Sequence, residues 1–159
     1  MALGLFREGM SINSIPFAFL SYFKVLNIHH GGGAGQKAWI NDNLHHISYQ
    51  PALDRLSEVQ STEPDVGRYL YEEGCCAVAH AHGAPLVNPD SYADRRRMEG
   101  DLRLMKELVA LFIEKELGVL SDSSYWKGLR EHRPLESELL RKVVQDDGRV
   151  VYVPERMFA

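Results

Sequence analysis

A long apolar stripe between residues 91 and 118 constrains the fold more than any other feature of the chain. Ser91 followed by Asp94 predicts a capping-box start, and Gly118 predicts the end of a helix. Because one face of this helix must be covered, we expect a helical bundle that buries Phe19, Leu102 and Leu108 together. The apolar positions recur at the helical spacings of three and four: Met98, Leu102, Met105, Leu108, Val109, Phe112, Ile113 and Leu117.

A second predicted helix begins at Ser11 or Ser14 and runs to about Ile28, with Pro16 in its first turn. It is apolar on nearly all sides, so we expect it at the centre of the bundle. The glycine-rich run 31–35 predicts a sharp reversal after it. Apolar spacing predicts further helices over 36–47, from Pro51 through Val59, and from Val66 to about His80. The first residues of the chain are also predicted to be helical, so we expect the chain to be a piece of a longer protein.

In the C-terminal tail the apolar residues no longer follow helical spacing. Two β-branched runs, Val143-Val144 and Val150–Val153, flank Asp147-Gly148, a dipeptide that favours a two-residue type I′ turn. The pattern therefore predicts a mainly α fold with a short C-terminal β-hairpin. We expect a helical domain over residues 1–141 and a hairpin tail over 142–159 that packs on the same domain.

Composition narrows the class of protein. The chain has 159 residues, 45% of them apolar, and a net charge of -4, which argues against a surface that binds nucleic acid throughout. The most apolar run, Ile12 to Ile28, is too short and too polar for a membrane span, and no secretory signal precedes it. The only cysteines are the adjacent Cys75 and Cys76, a pattern typical of a reducing compartment. We expect a cytoplasmic protein that does not bind membranes.

Candidate functional residues concentrate between residues 69 and 94, where a helix ends and a Pro/Asn/Asp loop follows. His80 and His82 are candidates for general acid–base catalysis because imidazole titrates near neutral pH. The alternative is structural, with His80 at a helix end near Asp90 or Asp94. Cys75 is a poor candidate nucleophile because Glu72 and Glu73 precede it, and a buried free thiol is the favoured interpretation.

The seven histidines include the pairs His29-His30 and His45-His46, but no spacing typical of a zinc site occurs. We therefore predict no metal and no cofactor, with a metal site assembled by the fold as an alternative. Arg95-Arg96-Arg97 fans around the predicted helix beside Asp94, Glu99 and Asp101, which favours a solvated first turn with local ion pairs.

Four stretches carry a resemblance to a known family: Ile15–Lys24, Cys76–Ala81, Asn88–Asp90 and Asp94–Arg97. Together they resemble the MauJ-type methylamine-utilisation proteins. The second stretch is also similar to the end of the HEPN signature, in which an arginine precedes a histidine by four to six intervening residues. That resemblance implies a helical bundle, commonly dimeric, that is either a ribonuclease or toxin component or an inactive binding module.

The chain departs from the HEPN signature at one position. His80 and His82 both occupy allowed histidine positions, but the arginine position falls on Cys75. A thiol cannot replace a guanidinium, which binds phosphate through paired N–H groups. The resemblance therefore predicts the fold more strongly than it predicts RNA cleavage.

These observations predict a HEPN-like accessory or binding module that forms a homodimer and binds a protein, RNA or nucleotide. One alternative is an active, metal-independent endoribonuclease or toxin that uses His80 and His82 with an arginine from elsewhere. Another alternative is a histidine-rich metal-binding protein. The candidate binding residues are Arg68, Cys75, Asp90, Asp94 and Arg95.

Overall fold

The computed structural model describes residues 1–80 and 86–120 in full, and the backbone of residues 140–144 and 150–154. The chain divides into two units, residues 1–119 and 120–159. In its described part the first unit is a bundle of helices, which confirms the prediction of a mainly α fold. None of the described helices is both long and apolar enough to cross a bilayer.

The helices of the first unit follow the predicted order. A 3₁₀ turn, Leu44–His46, extends α3, and a π-helical segment, Leu70–Cys76, joins α5 to α6 without a break in helical backbone. We call the continuous stretch the 66–79 helix. The bounds are α1 Ala2–Ser11, α2 Ile15–His30, α3 Gly33–Asn43, α4 Gln50–Thr62, α5 Val66–Tyr69, α6 Ala77–Ala79 and α7 Tyr92–Leu117.

The reversal between α2 and α3 is tighter than the sequence predicts. Gly31 ends α2 with a positive φ of 59°, a conformation that favours glycine. Helix α3 then begins at Gly33, three residues before the predicted start at Gln36. A Cβ at Gly33 would lie 2.5 Å from the ring of Tyr71, so a glycine there lets α3 approach the 66–79 helix. The early start of α3 therefore accompanies a tertiary contact, the close approach of Gly33 to Tyr71.

Helix α2 lies at the centre of the core, as predicted, and packs along α7. Phe19 and Leu108 are fully buried in the same cluster, which confirms that part of the prediction. Leu102 is only partly buried, so the expectation that it joins them fully is wrong. Leu117, the last apolar residue of the stripe, is 40% exposed because the helix ends there.

Helix α1 packs against the first half of α2. The rings of Phe6 and Tyr22 lie 5.4 Å apart between centroids. Gly9 is buried, and a Cβ there would lie 2.5 Å from the ring of Tyr22. A larger residue at Gly9 would force the two helices apart.

The start of α7 differs in one detail from the predicted capping box. The hydroxyl of Ser91 accepts a hydrogen bond from the Asp94 backbone N–H, as predicted. The carboxylate of Asp94 does not bind the Ser91 N–H in return. It accepts instead from the backbone N–H of Asn88 at 3.0 Å, which ties the preceding loop to the helix.

In the second unit, β1 (Leu140–Val144) pairs antiparallel with β2 (Val150–Pro154), with Val144 opposite Val150. A two-residue turn at Asp147-Gly148 would place Val144 opposite Val151, so this register does not support the predicted turn. Asp147 and Gly148 themselves lie outside the described residues. The packing of the tail on the helical domain stays a prediction.

Replacing Leu108 with Ala removes a fully buried side chain of α7 from the core cluster. We expect a loss of about 2–5 kcal/mol in the free energy of unfolding, measured by denaturant titration. Leu117→Ala is the matched control, because the same substitution at a 40% exposed position should cost well under that amount. Equal losses in the two variants would contradict the described core.

Candidate functional site

The 66–79 helix, which carries most of the predicted site residues, is distorted. Residues Leu70–Cys76 are π-helical, so the helix is wider here than an α-helix. Gly74 is buried in this segment, and a Cβ there would lie 2.6 Å from the ring of Phe19 on α2. Short π-helical segments occur frequently at functional sites. The residues around Cys75 are therefore candidates for a functional site.

Cys75 lies half-buried in the π-helical segment, and both cysteines are free thiols. Burial, together with the neighbouring Cys76, raises the pKa of the Cys75 thiol to about 11. The thiol is therefore protonated at neutral pH, and only a thiolate is an effective nucleophile. At the position where the HEPN signature has an arginine, this chain presents an uncharged group.

Arg68 is held by two carboxylates. Its guanidinium pairs with Glu63 and, at 3.2 Å from Nη1 to Oε2, with Glu72. The charge of Glu63 and the hydrogen bond to Glu72 raise the pKa of Arg68. A phosphate would have to compete with both carboxylates for this cation, so Arg68 is poorly placed as a substitute for the missing arginine.

His80 lies where the 66–79 helix ends, as predicted. It leaves the helix with extended backbone (φ -117°, ψ 118°), and its backbone N–H donates to the Cys76 carbonyl at 3.0 Å. The side chain of His80 is exposed, and His82 lies outside the described residues. Asp90 is exposed in the loop before α7, where its backbone N–H donates to the Asn88 side chain at 3.0 Å.

A buried carboxylate that sequence reasoning missed lies at the centre of the polar contacts. Asp101, on α7, is 0% exposed. Its Oδ1 accepts from Arg55 Nε at 2.9 Å, and its Oδ2 lies 3.4 Å from Arg97 Nη1. The hydroxyl of Tyr69 lies 3.1 Å from the same Oδ2. This network, which we call the Asp101 cluster, joins α4, α7 and the 66–79 helix.

The charges of the Asp101 cluster depend on one another. Burial raises the pKa of Asp101, while the guanidinium groups of Arg55 and Arg97 oppose that rise. Burial alone would lower the pKa of Arg55, but the charge of Asp101 and the hydrogen bonds to Glu58 and Asp101 raise it above its ordinary value. Two cations and a phenol surround one carboxylate, so we infer that Asp101 is ionised at neutral pH.

Arg97 also connects α7 to the π-helical segment, because its Nη1 donates to the Glu73 carbonyl at 3.1 Å. Arg97 and Asp101 form a local ion pair, as predicted, but the expectation that the pair is solvated is wrong because Asp101 is fully buried. Arg95 and Arg96 are exposed as predicted. Asp101 lies three residues after Met98 and four before Met105, on the apolar face. That spacing is the signal by which its burial could have been found.

Within the described residues, the histidine pairs belong to no group of metal ligands. In residues 1–80 and 86–120, no three His, Cys, Asp or Glu side chains are grouped so as to hold a metal ion. His30 instead packs on aromatic rings, 5.8 Å from Phe112 and 6.2 Å from Trp39 between centroids. Its Nε2 is buried without a hydrogen-bond partner in the described part of the chain. Burial and the charge of His29 lower the pKa of His30.

A groove of about 570 Å³ lies between the α1–α2 junction and the N-terminal half of α7. We call it the α7 groove. Its floor is mainly apolar and includes Met98 and Leu102, and three cations of α7 line it. The lining residues are Gly9, Met10, Ile12, Asn13, Ser14, Ile15, Pro16, Ala18, Tyr22, Val87, Pro89, Arg95, Met98, Leu102, Arg103 and Lys106.

A second recess, of about 670 Å³, lies on the other side of α7 against α4. It is polar and contains both signs of charge. Arg55 and Arg97 of the Asp101 cluster line it, beside Asp54, Glu58 and Glu99. The two recesses thus differ in charge, because the lining of the α7 groove contains no acidic residue among the described residues, whereas that of the second recess contains three. Arg103 lines both recesses.

The fold and these sites define a class: a helical-bundle domain with a buried arginine–carboxylate cluster and an open groove. Within that class the chain belongs to the family described as methylamine utilization protein MauJ, whose family model matches residues 2–114. The match covers more than two thirds of the chain and confirms the MauJ-type resemblance. Neither the curated proteins nor the solved structures gave a match. The HEPN resemblance stays a prediction.

Replacing Asp101 with Asn leaves Arg55 and Arg97 without their shared counter-charge. Breaking a buried ion pair from one side costs about 3–5 kcal/mol in the free energy of unfolding, and we expect a loss of that order by denaturant titration. Glu99→Gln, an acid-to-amide change two residues away at an exposed position, should change stability by less than about 0.5 kcal/mol. An Asp101→Asn variant with the free energy of unfolding of the parent would show that the fold does not need the carboxylate charge.

The lowered pKa of His30 predicts a pH-dependent stability. Because the folded state favours the neutral imidazole, the stabilisation is complete above the unfolded pKa of about 6.5 and is lost as pH falls through that value. In His30→Phe this loss should disappear, so the free energy of unfolding should fall less between about pH 7.5 and pH 5.5 than in the parent. Identical pH slopes for the two proteins would contradict the assignment.

Proposed function

We propose that this MauJ-family chain is a HEPN-like accessory or binding module that does not cleave RNA. The observation that carries the proposal is the neutral Cys75 thiol at the arginine position of the signature. HEPN-type cleavage would need a guanidinium beside the histidine to stabilise charge on the phosphate. The 66–79 helix has a single arginine, Arg68, and Glu63 and Glu72 pair with it.

The ribonuclease alternative would need an arginine from α7. Arg97 reaches the 66–79 helix, but it donates to the Glu73 carbonyl and lies beside the buried Asp101. Arg95 is exposed and lines the α7 groove. The metal-binding alternative gains no support from the part of the chain that the structure describes, where no group of metal ligands is assembled. A binding module therefore fits these side chains better than either enzyme or metal carrier.

The proposal includes a cellular location and an oligomeric state. Two free, adjacent cysteines are compatible with a reducing compartment, so we propose a cytoplasmic location. We also propose that the module works as a homodimer and binds a partner molecule, as the HEPN resemblance implies. His80 then serves structure or binding at the end of the 66–79 helix rather than proton transfer.

The test is RNA cleavage by clean, metal-free protein with a chelator present. We expect no cleavage of single-stranded or hairpin RNA by the parent, and none by His80→Ala. The His80→Ala variant should instead lose thermal stability or partner binding. His45→Ala, which changes an exposed histidine of the Leu44–His46 turn, controls for the loss of an imidazole.

One result would overturn the proposal in favour of the enzyme. Reproducible cleavage by the parent and by His45→Ala, absent in a His80→Ala protein with an unchanged melting temperature, would show that His80 is catalytic. Melting temperature by circular dichroism distinguishes that loss from simple unfolding.

A further inference from the structure

The α7 groove has a one-sided charge. Arg95, Arg103 and Lys106 line it, and none of the lining residues that the structure describes is acidic. Within residues 1–80 and 86–120, none of the three makes an ion pair. The protein as a whole carries a net charge of -4, so an unpaired cationic groove stands out against its surroundings. Such a groove attracts anions.

Arg103 and Lys106 are the two cations of the groove that lie nearest to each other in the sequence. They lie three residues apart on α7, so their side chains are neighbours on the helix surface. Like charges at this spacing repel each other, and an anion between them relieves the repulsion. Arg95 lies eight residues before Arg103, or about 12 Å along the helix axis.

Apolar side chains occupy the space between these cations. Met98, which is fully buried, and Leu102, which is only partly buried, lie on α7 between Arg95 and Arg103. Ile12 and Ile15 face them from the α1–α2 junction as lining residues of the same groove. A ligand that fits must therefore combine an apolar body with an anionic group.

We propose that the α7 groove binds a small amphipathic carboxylate, with its head group at Arg103 and Lys106 and its apolar chain along the partly exposed Leu102 and Ile15. The proposal rests on the binding function proposed above and names the class of ligand. The volume of about 570 Å³ lies within the range of small-molecule sites, roughly 300–1,000 Å³. A nucleic acid would need a long cationic track with stacking rings rather than an apolar floor.

Sodium decanoate, kept below its micelle concentration, is the probe, and isothermal titration calorimetry on the full chain measures its binding. We expect saturable binding of decanoate. Decanol, which lacks the charge, and decyltrimethylammonium, which reverses it, should bind at least about tenfold more weakly, because a charge-assisted hydrogen bond is worth about 1.5–3 kcal/mol.

Two variants form a matched pair. Arg103→Gln should weaken decanoate binding about tenfold or more. Arg96→Gln makes the same substitution on the same helix, also at an exposed position, but Arg96 lines only the second recess and should leave binding unchanged. Lys106→Gln should weaken binding in the same way as Arg103→Gln.

The ligand class would be overturned if decanoate did not bind to the folded parent. It would also be overturned if decanol or decyltrimethylammonium bound as tightly as decanoate. Equal weakening by Arg96→Gln and Arg103→Gln would show a general charge effect and overturn the site. The RNA assay is separate: cleavage by a parent that also binds decanoate would refute the non-catalytic function and leave the carboxylate site standing. No cleavage together with no decanoate binding would leave the binding module and remove this ligand.

Discussion

The structure of the first unit depends on one buried charge. Asp101 lies within the apolar face of α7, and moving a carboxylate out of water is costly unless cations and hydrogen-bond donors replace the solvent. Arg55 from α4, Tyr69 from the 66–79 helix and Arg97 from α7 supply them. Because these contacts are directional, they fix how three elements lie against one another more specifically than apolar packing does.

The orientation of α7 has consequences on both sides of the helix. With Asp101 turned inward to α4, Leu102 lies at the edge of the core and Arg103 lies at the surface. Helix α1 approaches α2 closely at Gly9, and the chain between α1 and α2 forms the opposite wall of the α7 groove. The α7 groove and the Asp101 cluster therefore both follow from the orientation of α7 about its own axis.

Family membership and chemistry give different kinds of information about this protein. Residues 2–114 place the chain in the MauJ family, which defines its relationship to other chains. Chemistry must be argued from the side chains, and those around Cys75 contain a protonated thiol and an arginine that two carboxylates bind. These groups are the basis on which we propose recognition rather than phosphate chemistry for this site.

The sequence alone determined the features that depend on local spacing. The apolar stripe of α7, the Ser91 cap and the glycine stops at Gly31 and Gly118 act within a few residues, so their pattern predicts helices directly. The position of Asp101 on the apolar face of α7 already indicated burial, but only the tertiary structure decided which groups bind its carboxylate, because its partners Arg55 and Tyr69 lie 46 and 32 residues away in the chain. The π-helical segment and the α7 groove likewise arise from helices meeting, and no local pattern specifies which helices will meet.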